Sequence, residues 1–84
     1  MKRSILTFNE LKEVDNFLRA KGIRRSLNKI IVSQLPEIRN NNIIYHTIVR
    51  FITKESKEKQ LCIESKHKFD VTLLHKQLER SFNV

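Results

Sequence analysis

The 84-residue chain has one glycine, one proline, one cysteine and no tryptophan. With Gly22 alone, no glycine-rich loop can bring backbone N–H groups up to a pyrophosphate, which removes the common nucleotide-binding motifs. Cys62 alone cannot build an intramolecular disulfide framework, and a single thiol agrees with a reducing compartment. Together with His46, His67 and His75 it shows none of the paired-cysteine or His-x-x-x-His spacings from which zinc sites are built. It alternates with Gln60 and Glu64 beside Leu61 and Ile63, the setting of a quiet strand thiol rather than an activated nucleophile. The carboxylates serve as helix caps or are interleaved with lysines, so no acid and base are set apart by environment. These absences leave no catalytic residue, metal or cofactor to assign, and the expectation is a protein that is not an enzyme.

Long apolar runs are missing too. None approaches the roughly 18 residues that a membrane span requires, and Met1 to Phe8 holds too little apolar content for a signal peptide. The expected location is the cytoplasm or, in a nucleated host, the nucleus. A chain of this length makes one domain, residues 1–84, that buries only about 60 to 65% of its unfolded surface.

What the sequence does have is positive charge, 17 Lys and Arg against 9 Asp and Glu, for a formal net charge of +8. Such an excess brings self-repulsion and favours an anionic partner, nucleic acid first among them. An AT-rich coding sequence would also enrich Lys, Asn and Ile without selection for binding.

The organising stretch is Ile43 to Ile52, built almost entirely of β-branched and aromatic residues. As a strand it sets Ile43, Tyr45, Thr47, Val49 and Phe51 on a core face and Ile44, His46, Ile48, Arg50 and Ile52 on the other. The polar run Thr53 to Lys59 and the alternation around Leu61 to Ile63 make a turn and a return strand, so residues 43–66 read as a β-hairpin. Upstream, Thr7 and Glu10 form a capping box with Leu6 and Leu11 as a staple, opening a helix over 8–21 that ends at Gly22. Ile30 to Val32 lie in a strand of about 28–34 that Pro36 closes, and Pro36 to Asn42 forms a polar connection. Asp70 caps a last helix over 71–82 whose stripe is Val71, Leu74, Leu78 and Phe82.

The expected fold is therefore α+β, helix-strand-strand-strand-helix, with both helices on one face of a three-stranded antiparallel sheet. The alternative makes 27–35 and 43–54 helices, a mostly helical, helix-turn-helix-like molecule with a small β element near residue 62. The expected element order resembles that of double-stranded-RNA-binding domains, which read RNA by shape. The lysine-rich start of the final helix that marks that family is replaced in this chain by Lys66, His67, Lys68, Phe69 and Asp70. The likeness is one of topology and implies no function.

Arg19, Lys21, Arg24, Arg25 and Lys29 form the densest positive stretch and contain no acidic neighbour, which suits contacts to phosphates. Lys66 and Lys68, flanking His67 before the last helix, are candidates to join them. Lys54, Lys57 and Lys59 are interleaved with Glu55 and Glu58 and read as a solvated turn. His46, Ile48 and Arg50 share the strand face that the helices leave open, a candidate partner surface unless the segment Lys2 to Leu6 or self-association covers it. Two functions follow as expectations. The first is a small nucleic-acid-binding module making mainly phosphate-backbone contacts, with DNA and RNA equally open. The second is a protein-binding adaptor or inhibitor of the phage, virus or plasmid kind, docking on an acidic protein surface, with a homodimer as a further arrangement.

Overall fold

In the computed structural model, which describes residues 5–84, the chain runs α1 (Phe8–Ala20), β1 (Leu27–Arg39), β2 (Asn42–Thr53), β3 (Glu58–Ser65) and α2 (Val71–Phe82). The three strands form one antiparallel sheet in the order β1-β2-β3. The helix-strand-strand-strand-helix expectation holds. The helical alternative for 27–35 and 43–54 fails, since both segments are strands, as their β-branched side chains favour.

Local chemistry sets the ends of α1. The Thr7 side chain accepts from the Glu10 N–H at 3.2 Å, and Glu10 accepts in return from the Thr7 N–H at 2.8 Å. At the other end Gly22, at φ 71°, donates to the Arg19 carbonyl while Ile23 donates to that of Leu18, both at 3.0 Å. This is the two-bond Schellman arrangement, which needs a left-handed residue where glycine alone is unstrained. At α2, the Asp70 carboxylate accepts from the Leu73 N–H at 3.1 Å, and Asn83 ends the helix in the left-handed region at φ 55°.

The first strand differs from expectation. It does not stop before Pro36 but continues to Arg39, and the connection supposed for Pro36 to Asn42 shrinks to a turn at Asn40 and Asn41. Both asparagines have positive φ, 50° and 64°, the geometry of a two-residue type I′ hairpin. Proline fits because of which way its nitrogen faces. The Ile30 carbonyl accepts from His75 Nε2 at 2.8 Å, so it points away from β2. Backbone direction alternates along an antiparallel strand, and Pro36, six residues on, also turns its N–H-free nitrogen outward, where no ladder bond is lost.

Both helices cover the face that carries Thr47, Val49, Phe51 and Thr53. Phe17 of α1 meets Phe51 at a ring separation of 6.0 Å, and Leu18, Leu74 and Leu78 are fully buried beneath the helices. Gln34 satisfies the buried Thr47 hydroxyl, donating to it at 3.1 Å. The core face begins only at Thr47, because Ile43 is 52% exposed where the β1–β2 hairpin runs past the helices. Thirteen residues at about 3.3 Å each span about 43 Å, in accord with the 42 Å long dimension of the molecule.

Candidate nucleic-acid interface

The cations expected to act together are split by the fold. Leu27 at the start of β1 pairs with Thr53, whereas Ser65 at the end of β3 pairs with Tyr45. Eight residues of β2 separate the two rows, about 26 Å. Lys66 and Lys68 therefore lie at one end of the sheet, and the Arg19 to Lys29 stretch lies at the other. At the Lys66 end, the His67 ring packs edge-on against Phe69 at 4.5 Å. The Asp70 carboxylate already accepts from the Leu73 N–H at the start of α2 and places a negative charge where an anion would bind.

The turn carrying Lys54, Lys57 and Lys59 is exposed, as expected of a solvated turn, but Lys54 stands beside the main group. The Lys54 N–H donates to the Ser26 carbonyl at 2.9 Å, which fastens the β2–β3 turn to the loop after α1. Lys54 and Arg25 then line one groove with Asn28 and Asn83. Glu55 stays exposed beside Lys54, while Glu58 faces away from Lys54 and shares the row of Ile52 with Lys29. Glu58 accepts from Arg50 at 2.7 Å on the other side of the sheet. Nothing in the local sequence signals the Ser26–Lys54 contact, because it joins segments 28 residues apart.

Within the group the roles differ. Arg24 is structural, since its guanidinium donates to Asp15 at 3.1 Å, lies 5.1 Å from the Phe82 ring, and its side chain is only 26% exposed. Arg19 also donates to Asp15, at 2.7 Å, but is 66% exposed and can turn to another acceptor. The Arg19 guanidinium holds the Asp15 carboxyl below its ordinary range, with Arg24 adding to the effect against some desolvation. Lys21 rests near the Phe17 ring. Arg25, Lys29 and Lys54 are exposed, and no carboxylate among the described residues pairs with them.

His46, Ile48 and Arg50 do share the uncovered sheet face, as expected, but neither His46 nor Arg50 is free. Arg50 is bound to Glu58, and His46 Nε2 meets the Glu37 carboxylate at 2.5 Å. Leu6, by contrast, is buried on the helix side, its N–H donating to Gln77 of α2 at 2.9 Å. Ile5 is exposed, and the remainder of the segment supposed to cover the open face, Lys2 to Ser4, lies outside the described residues.

Cross-strand pairing also gathers Glu37, His46 and Glu64, each offering one ligand atom within 4.8 Å of the others. Spacing in the sequence gave no hint of this cluster, because its members come from three strands. Arg39 already stands there, donating to Glu37 at 3.0 Å and reaching Glu64 at 2.7 Å. The guanidinium takes the place a metal cation would need, and it is the main reason the Glu37 carboxyl lies below its ordinary range, with His46 second.

Comparison of the chain with protein-family models, with curated proteins and with solved structures returned no match in any of the three.

Proposed function

We propose that the protein binds nucleic acid through the phosphate backbone, with Arg19, Lys21, Arg25, Lys29 and Lys54 as the contact residues. The observation that carries this reading is the Ser26–Lys54 bond, which brings exposed cations from two remote segments to one end of the molecule. Exposed ammonium and guanidinium groups reach phosphates without a burial penalty and gain by releasing condensed counterions. Arg24 supports the site from beneath by tying the loop to Asp15 and Phe82. Lys66 and Lys68, at the far end of the sheet, offer a separate contact for a longer nucleic acid. Little base reading is built in, because Phe51, Phe69 and Phe82 are core residues and the exposed Phe8 stands at the opposite end of α1 from Arg19.

Docking on an acidic protein through His46, Ile48 and Arg50 has less support, because Glu37 and Glu58 offset the positive charge of that face.

Salt titration of binding to a duplex and to a single strand tests the proposal. Four or five phosphate contacts give a log–log slope of about −4 on duplex DNA, or a loss of about 100-fold or more between 50 and 200 mM salt. Arg25→Ala with Lys54→Ala is expected to flatten that slope by about 2. Absence of binding to either form at low salt overturns the reading.

A further inference from the structure

The sheet face turned away from both helices has a charge balance unlike the rest of the molecule. It presents Lys29, Arg39 and Arg50 against Glu37, Glu58 and Glu64, three of each sign, so the formal +8 of the chain resides elsewhere. Apart from Lys29 these groups are paired with one another, Arg39 with Glu37 and Glu64, and Arg50 with Glu58. Between the pairs runs an apolar band, Ile44, Ile48 and Ile52 along β2 with Ile31 and Leu35 on β1 and Cys62 on β3. The Arg39–Glu64 pair joins the two outer strands across β2. Its two residues flank the row of Ile44, which is only 9% exposed although no helix covers it.

We propose that this face binds a second copy of the same chain, sheet against sheet. Two molecules of charge +8 repel wherever their cationic surfaces approach, and this face is where they can meet without that cost. An anionic partner gains no net attraction from it, since its cations are already matched. Stacking the faces would leave Arg19, Lys21, Arg25 and Lys54 of each copy outside the contact and take in only Lys29 of the proposed phosphate contacts, at the edge of the face, so the pairing does not depend on the nucleic-acid reading.

The size of the face places the contact among small interfaces. Three strands about 4.8 Å apart and about 8 to 12 residues long present roughly 400 to 500 Å² per copy. Two copies then remove about 800 to 1,000 Å², at the lower limit of a specific interface and far below an obligate one. The dimer is therefore a weak, reversible one rather than an obligate one.

Sedimentation equilibrium on nuclease-treated protein in reductant, from about 1 μM to about 1 mM, reads this directly. The expected result is a monomer–dimer equilibrium that higher salt leaves unchanged or tightens, opposite in sign to phosphate binding. Leu35→Lys and Ile48→Lys are each expected to weaken it at least about tenfold. Leu35 is 58% exposed in the monomer, so its replacement leaves folding intact, which a thermal melt of each variant verifies. A monomer mass across the whole range overturns the proposal. So does a dimer that both substitutions leave untouched, or a face that proves to hold a different protein while the chain stays monomeric.

Discussion

Arg24 lies in the most basic stretch of the sequence, yet its surroundings make it a structural residue. One side of its guanidinium meets Asp15 and the other the Phe82 ring, so it joins α1, the following loop and the end of α2. Arg24→Ala is expected to cost about 1 to 2 kcal/mol, from a partly desolvated cation–π contact and an ion pair lost together. Arg25→Ala, one residue on, removes an exposed side chain and should stay within about 0.5 kcal/mol of the parent. Denaturant melts of the two variants separate the roles. Equal losses would refute the assignment of Arg24 as the structural member. Adjacent arginines look alike in sequence, and only the partners around them tell them apart.

The first strand shows the same limit for a whole element. Proline conventionally ends a strand, because a central strand needs every N–H, and that reasoning placed the end of β1 five residues too early. An edge strand needs only alternate N–H groups, and Pro36 falls on the outward side. The missing donor also blunts that edge against pairing with another chain. Pro36→Val is expected to leave unfolding free energy within about 0.5 kcal/mol of the parent while raising light scattering on heating, because it adds an outward N–H and a β-forming side chain. A gain of about 1 kcal/mol would mean that the new N–H bonds to β2, and that the nitrogen of residue 36 faces inward rather than outward.

For the molecule as a whole, ion pairs and net charge act in the same direction as pH falls. The carboxyls of Asp15, Glu37 and Glu58 are each held below their ordinary values, chiefly by hydrogen bonds from Arg19, Arg39 and Arg50 respectively. A group depressed in the folded state contributes stability that is present above its unfolded pKa, about 4, and is lost as pH falls through the lower folded value. Protonating the 9 acidic residues also exposes the full repulsion of 17 Lys and Arg. Thermal melts should therefore be flat from about pH 5 to 7 and drop steeply below about pH 4. Added salt should soften the drop by screening. A flat profile down to about pH 2 would show that these pairs add nothing to the fold.

The sequence by itself determined the elements whose causes are local. The Thr7–Glu10 box, Gly22 and Asp70 mark helix ends through atoms within a few residues, and the β-branched run from Ile43 to Ile52 marks its strand by side-chain shape. The two-sided character of that strand was equally readable, since a period of two needs no knowledge of the partner strands. What only the tertiary structure decided depends on distance through space. Pairing across strands brought Glu37, Arg39, His46 and Glu64 together and made the open face neutral. The Ser26–Lys54 bond brought Lys54 to the cationic end, and about 26 Å of β2 removed Lys66 and Lys68 from it. Coulomb interactions fall off over several ångströms, so the sequence supplies the charges but the fold decides which of them act together.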